Sequence, residues 1–254
     1  MDNVTHAALG IAAGIAVRRA GASLPAAALA GLLAGEGPDL DVFIRSAGDP
    51  LVSFRWHRHF THSFAFAPVW GLLAALISAW FFRRRPDAHW RDLFLPGLAG
   101  ALSHVLCDAC TSYGTMLLWP FDTGRYAWDC MPIIDLLATL PVLVLAILAW
   151  KKAAPRLAVY GLLWFTTYAS LGVWQHARAE TGLRQWFASQ QVTRRIERVA
   201  VKPTALNLVV WRCVWLEDGK WHTAAVRVMP FMDPQVILGE TRVALTPQSP
   251  GLPA

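Results

Sequence analysis

Residues 63–82 read SFAFAPVWGLLAALISAWFF, twenty positions without a charge, with Trp70, Trp80, Phe81 and Phe82 within the run or at its end. An α-helix needs about 20 apolar residues to cross a bilayer, so this stretch predicts a membrane span. Two further runs are of comparable length. Residues 133–150 carry one carboxylate, Asp135, near their start, and residues 157–175 are rich in Trp, Tyr and Phe. A fourth run, 93–109, stays apolar until Ser103, His104 and Asp108 appear in its last turns. Two shorter runs, 7–20 and 24–34, are broken at 21–25. At about 1.5 Å per residue neither crosses alone, so they predict a helical hairpin packed inside the bundle.

Composition agrees with that reading. Of 254 residues, 55% are hydrophobic and 16% charged, against roughly a quarter charged in typical globular chains. Mean hydropathy is +0.38. These values exclude a disordered, collagen-like or coiled-coil chain. A net charge of +6 would suggest nucleic acid for a soluble protein. Here the basic residues flank apolar runs, so the lipid bilayer is the expected partner and nucleic acid is not. Cys107, Cys110, Cys130 and Cys213 make no disulfide framework. No second pair completes a zinc knuckle with the C-x-x-C at 107–110, and its cysteines read as packed small residues. The chain opens Met1-Asp2-Asn3 without a basic n-region, so the first segment is expected to be retained, not cleaved as a signal.

Arg and Lys set the orientation. Clusters lie at Arg18-Arg19, at Arg83-Arg84-Arg85 with Arg91, and at Lys151-Lys152 with Arg156. Cytoplasmic placement of these three turns sends the N-terminus, residues 35–62, residues 110–132 and everything after 175 outward. The assignment alternates without conflict through all six segments.

Beyond the last span the composition changes. Residues 178–198 are polar with Leu183, Trp186, Phe187 and Ile196, which predicts an interfacial amphipathic helix. Residues 206–216 and 221–229 are β-rich and flank Glu217-Asp218-Gly219-Lys220. Asp-Gly between such runs signals a hairpin, and 236–245 adds further strand. The expected fold is mainly α: a polytopic helical membrane bundle of four spans plus a short N-terminal helical hairpin, with a small C-terminal β-domain. The expected division is a membrane-embedded metal-site domain at 1–176, a polar linker helix at 177–198 and a β-domain with a frayed tail at 199–254. Val209, Trp211, Cys213 and Trp215 share one face of an alternating strand. That face either packs on the membrane domain or lipid interface as a lid or platform, or forms the core of the β-domain itself.

Seven polar residues stand out against this background: His6, Asp39, Asp41, His57, His62, His104 and Asp108. Imidazole nitrogen and carboxylate oxygen are the ligands that hold zinc, manganese or iron. His104 and Asp108 stand at i and i+4, on one helix face about a turn apart. Gly37-Pro38-Asp39-Leu40-Asp41 brings two carboxylates together, and His57-Arg58-His59-Phe60-Thr61-His62 holds three imidazoles in six residues before a span. Each has a bland reading: a chance helical pair, an acidic capping turn, a His/Arg fringe against lipid head groups. Convergence argues otherwise, because the orientation drawn from Arg and Lys alone puts all seven, and Asp135, at the outward end. Ionisable residues at membrane depth are functional by default. Arg55, Arg58 and Arg125 lie in the same outward loops, where anionic lipid head groups are the expected contact and a phosphate the alternative. No G-x-S-x-G, H-E-x-x-H or phosphate loop occurs.

Thr5-His6 before a Gly/Ala-rich helix, Pro38-Asp39-Leu40-Asp41, His57-Arg58-x-x-Thr61-His62-Ser63, Ser103-His104-x-x-x-Asp108 and Leu118-Trp119-Pro120-Phe121 occur in that order. Together they resemble the YdjM-type family, bacterial inner-membrane proteins described as metal-dependent hydrolases. The resemblance covers roughly residues 1 to 145. That family often carries a Trp-containing β tail, as residues 209–228 suggest. A fainter similarity, by analogy only, runs to zinc-dependent phospholipases C. The resemblance implies a metal site of His6, Asp39, Asp41, His57, His62, His104 and Asp108. Asp135 matches an acidic position that serves as ligand or general base, with Asp41 a second catalytic candidate; His59 falls between matched positions. So many ligands exceed one tetrahedral site, which implies two metals or one with ample surrounding support.

The expected function is therefore a multi-pass inner-membrane hydrolase dependent on a divalent metal, zinc first, as one or two ions. Its site and C-terminal domain face the periplasm, and its substrate is amphiphilic, such as a phospholipid or lipid-linked phosphoester. The alternative is a membrane protein that binds or transports metal without catalysis. Transporters place acidic and His residues at the midplane of spans, whereas 63–82 and 157–175 contain no Asp, Glu, Lys, Arg or His. A third reading is a structural or regulatory membrane protein.

Overall fold

A computed structural model describes residues 1–49, 51–191 and 196–243. The chain is mostly helical, with a small antiparallel sheet after the last helix. It divides into two compact units: residues 1–128 with 133–170, and residues 129–132 with those from 171 onward.

In the first unit the helices are α1 (Asn3–Ala16), α2 (Leu24–Glu36), α3 (Val52–Trp56), α4 (Ala67–Phe81), α5 (Trp90–Ala109), α6 (Leu136–Lys151) and the start of α7 (Pro155–Ser189). Two 3-10 turns, Gly37–Phe43 and Phe60–His62, join them. Local chemistry explains several of these boundaries. Asp2 caps α1 by accepting from the Thr5 N–H, and Asp135 caps α6 by accepting from the Leu137 and Ala138 N–H groups. Ser63 bonds the Phe66 N–H through Oγ. This turn, with Pro68 in the first helical turn, delays the start of α4 to Ala67.

The α1–α2 hairpin forms where the short apolar runs predicted it, and it is packed by close backbone approach. A Cβ on Gly31 would lie 2.1 Å from the Gly10 carbonyl oxygen, and one on Gly100 of α5 would lie 2.3 Å from that of Gly31. Only hydrogen fits there, so α1, α2 and α5 meet backbone to backbone.

The four expected spans are only partly matched by helix length. Among the described residues, α7 alone is long and apolar enough to cross a membrane by itself. The segment Val52–His62 with Ala67–Phe81 passes as a pair bent by 79°, and α1 and α6 are shorter apolar helices. The 63–82 run falls short because its first residues form the turn at Ser63, which leaves α4 with 15 residues. Much of α4, α6 and α7 nonetheless exposes large apolar side chains, among them Leu76, Ile77, Leu140, Val144, Leu163 and Trp164.

The second unit contains the end of α7 and strands β1 (Ile196–Pro203), β2 (Val210–Glu217), β3 (Lys220–Arg227) and β4 (Gln235–Val243). The sheet is an antiparallel meander in the order β1-β2-β3-β4. Glu217 pairs with Lys220 across a two-residue turn in which Asp218 and Gly219 both have positive φ, 48° and 70°. That is the turn an Asp-Gly hairpin signal predicts. One expectation needs correction, and one left open is decided. Residues 178–198 are not one interfacial helix: α7 continues to Ser189 and β1 starts at Ile196. Nothing in 176–189 breaks a helix, and Ala179, Leu183 and Phe187 recur at helical spacing to bury a face. The face of Trp211, Cys213 and Trp215 is the unit's own core. It packs on Ala179, Leu183 and Phe187, with Val201, Ala224 and Val226 beside it.

Candidate metal centre

Five segments of the first unit bring their polar residues together. His6 stands one turn into α1, Asp39 and Asp41 on the 3-10 turn after α2, His57 after α3, His62 on the second 3-10 turn, and His104 with Asp108 on α5. The ligand atoms of Asp39, His62, His104 and Asp108 lie within 4.8 Å of one another, and those of Asp41, His57 and His62 form a second group. His62 belongs to both.

The first group is mutually close, with His62, His104 and Asp108 buried and Asp39 partly so. His62 Nε2 lies 3.3 Å from Asp39 Oδ1 and 3.3 Å from Asp108 Oδ2. His104 Nε2 lies 3.3 Å from Asp108 Oδ2 and 3.7 Å from Asp39 Oδ1. A tetrahedral ion with ligands at about 2.0–2.1 Å keeps them about 3.3 Å apart, so these separations suit one small cation.

Hydrogen bonding settles which atoms are available. His104 Nδ1 donates to the Gly35 carbonyl at 2.6 Å, which leaves a lone pair on Nε2. That lone pair faces Asp108 Oδ2, and neither atom has a hydrogen-bond partner although both are buried. The Arg58 guanidinium lies 3.1 Å from Oδ2, but no donor reaches the buried His104 lone pair, and a cation seated beside it would satisfy it. The bond to Gly35 is also the kind that orients a metal-binding imidazole. The residues present fit a divalent cation.

Asp41 supports His62 from the other side. Its carboxylate accepts from His57 Nδ1 at 2.8 Å, the Arg58 N–H at 2.9 Å and Thr61 Oγ1 at 3.1 Å, and lies 3.2 Å from His62 Nδ1. Arg58 adopts φ +58°, which turns its N–H into this carboxylate. Its buried guanidinium lies 3.1 Å from Asp108 Oδ2 through Nε and donates to Thr111 Oγ1 at 2.7 Å. His6 stacks on His104 with ring centroids 3.7 Å apart, and its Nε2 is 3.2 Å from Asp108 Oδ1. The Met1 amine also donates to that oxygen.

The electrostatics follow from this crowding. Burial opposes charge on His62, but its bonds to Asp108, Asp39 and Asp41 outweigh burial and raise its pKa to about 10. Burial would raise Asp39, yet its bond to His62 and the other imidazoles beside it bring it down to about 2. Asp41 is likewise buried but held well below the usual carboxylate range, first by its bonds to His57 and His62. The carboxylates stay ionised; without a metal they hold a proton on His62, and a bound cation would take that proton's place.

Six of the eight sequence candidates thus fall into the two groups, and His6 stacks behind His104. Asp135 joins neither group. Its Oδ1 accepts from Leu137 and Ala138, and its Oδ2 accepts from Tyr168 at 2.7 Å. An Asp immediately before an apolar helix is the ordinary signal for such a cap. The burial of Arg58 against Asp108 was not readable, because it joins residues fifty positions apart. The four cysteines form no disulfide, and neither group contains one.

The model of a family described as YdjM inner membrane protein matches residues 1–179. The curated inner membrane protein YbcI of Escherichia coli (strain K12) is 30% identical over 174 residues, 64% of this chain and 96% of that protein. No solved structure matches.

Proposed function

We propose that this chain, which belongs to the YdjM inner membrane protein family, is a membrane-bound metal-dependent hydrolase. The observation that carries the reading is the His104 Nε2 lone pair turned onto Asp108 Oδ2 without a hydrogen bond, inside a largely buried set of two imidazoles and two carboxylates. Asp39, His62, His104 and Asp108 would hold a divalent metal, zinc being the first choice for such a set. It would supply Lewis acidity and a source of hydroxide near neutral pH.

The remaining chemistry belongs to the chain's own groups. Asp41 fixes the His62 ring through Nδ1 and, by accepting from His57 Nδ1, leaves the His57 Nε2 lone pair free to take a proton. Asp41 is therefore read as a positioning residue, and His57 as the general base in place of Asp135. Arg58 holds Asp108 and offsets the charge of three clustered aspartates. For the bilayer we propose the four-span bundle with its short hairpin, with the metal group at the periplasmic face. The exposed apolar faces of α4, α6 and α7 and the basic clusters at the opposite helix ends support that orientation.

Purified protein in neutral detergent, assayed on phosphomonoester, phosphodiester and carboxylic ester substrates, tests the reading. Turnover should require a divalent metal, and His57→Ala should lower kcat by about 10²–10⁴ while metal content is unchanged. Retained metal without turnover of any class would instead support a binding or transport protein. Orientation is checked by labelling from the outside, against a background of four buried native cysteines. Asp49→Cys and Gly124→Cys should react, while Pro86→Cys and Ala153→Cys should not. The reverse pattern would move the site to the cytoplasmic face.

A further inference from the structure

Beside the Asp41, His57 and His62 group lies an open cavity of about 760 Å³. Its polar wall is Arg55, His59 and Arg125, and its apolar wall is Leu51, Phe54 and Met116. Tyr113 is shared between this cavity and the metal region. Its ring is 5.0 Å from that of His57, and the Arg58 guanidinium stands 5.0 Å from its centroid. A molecule seated against Tyr113 is therefore one side chain away from His57 and from the guanidinium that holds Asp108.

The polar wall is built to present donors. Arg125 donates to the carbonyls of His57 at 3.1 Å, Gly114 at 3.2 Å and Arg55 at 3.1 Å. These bonds use three of its five N–H donors and fix the fork at the rim. Arg55 is largely exposed, and its partner, Asp49 at 3.3 Å, is an exposed ion pair that an incoming anion can replace at little cost. His59 Nδ1 accepts from the Phe60 N–H at 2.7 Å, so its proton sits on Nε2 as a further donor. Burial and the Arg125 charge lower the His59 pKa. Leu51 and Phe54 are exposed at the opposite side, where they can meet a hydrocarbon chain.

We propose that this cavity binds the phosphate group of an amphiphilic substrate, with Arg125 and Arg55 on the phosphate and Leu51, Phe54 and Met116 on the first carbons of its chain. Two guanidiniums suit phosphate oxygens through charge-assisted, paired N–H donors. The inference rests on the hydrolase reading for the use made of the bound phosphate, but the binding itself needs neither metal nor turnover.

The test is titration of dodecyl phosphate, and separately of inorganic phosphate, into chelator-treated protein in dodecyl maltoside at fixed ionic strength, read by calorimetry. Dodecyl phosphate should bind saturably to one site and at least tenfold more tightly than inorganic phosphate. Arg125→Gln and Arg55→Gln should each weaken it tenfold or more, while Arg84→Gln, in a distant basic turn, should leave it unchanged. Should Arg125→Gln fail to fold for want of its carbonyl bonds, the exposed Arg55→Gln decides alone. Unsaturable binding, or equal weakening by Arg84→Gln, would overturn the proposal as generic attraction of anions to a basic surface. Inorganic phosphate binding as tightly as dodecyl phosphate would overturn the amphiphile and leave a free-phosphate site. Because metal is absent throughout, failure of the hydrolase reading leaves the expected result intact, and loss of phosphate binding leaves metal-dependent turnover to be judged separately.

Discussion

His104→Ala should lower the affinity for a divalent metal by well over 100-fold, so that protein dialysed against a weak chelator comes out essentially metal-free. The imidazole removed is the one whose tautomer is fixed by Gly35 and whose Nε2 has no other partner. No neighbouring side chain can take its place: His6 is stacked behind the ring at 3.7 Å, with its Nε2 beside Asp108 Oδ1. His62→Ala should match His104→Ala, since Nε2 of His62 faces both Asp39 and Asp108. His6→Ala and Asp41→Ala act through other ligands and should cost the 10–100-fold typical of supporting groups. Elemental analysis with chelator competition measures the series. Metal content unchanged in both His104→Ala and His62→Ala would end the assignment.

The second large effect is on stability. Gly31→Ala places a methyl carbon 2.1 Å from the Gly10 carbonyl oxygen and 3.0 Å from the Gly14 Cα. Both are backbone, so no side chain can swing aside. α1 and α2 must separate, and α5, which rests on the Gly31 carbonyl through Gly100, moves with them. Overpacking of this kind costs about 3 kcal/mol at the upper end of the usual range. Because His6, the Asp39 turn and His104 ride on these three helices, the metal group should loosen as well. Gly48→Ala is the control, since an added Cβ there meets only Ser46 Oγ at 4.0 Å. Unfolding midpoints in detergent should drop sharply for Gly31→Ala and stay within about 0.5 kcal/mol for Gly48→Ala. Equal midpoints would show that α1 and α2 are not in backbone contact.

Most of the helices were readable from apolar runs alone, because burial and lipid exposure both select for hydrophobic stretches of this length. Their ends were less so. The turn at Ser63 shortens α4, and α7 runs on past Gln175 because its polar half still carries Ala179, Leu183 and Phe187 at helical spacing. Strand β1 carries no clear strand signal in its sequence. Its charges at Glu197, Arg198 and Lys202 resemble a solvated helix face until Val201 is seen packed under Trp211 and Trp215. The contact at Gly31 could not be weighed without knowing which helix faces which.

The site was legible as positions rather than as roles. Residue type and helix-end placement picked out Asp39, His62, His104 and Asp108, which the fold brings together from three chain segments. They could not show that Asp41 lies behind His62, that His6 stacks on His104, or that Asp135 caps α6 and bonds Tyr168. Those distinctions depend on which atom of a ring or carboxylate points where. Arg58, offered by the sequence as a contact for phosphate or head groups, is instead buried against Asp108.

X-ray absorption at the edge of the metal retained by the purified protein is the most direct check of the site. Two imidazole nitrogens and two carboxylate oxygens should give a nitrogen/oxygen shell at about 2.0–2.1 Å with imidazole multiple scattering. That shell should disappear in His104→Ala. Protein that retains no divalent metal, or a metal showing a sulfur shell at about 2.3 Å from Cys107 or Cys110, would contradict the assignment.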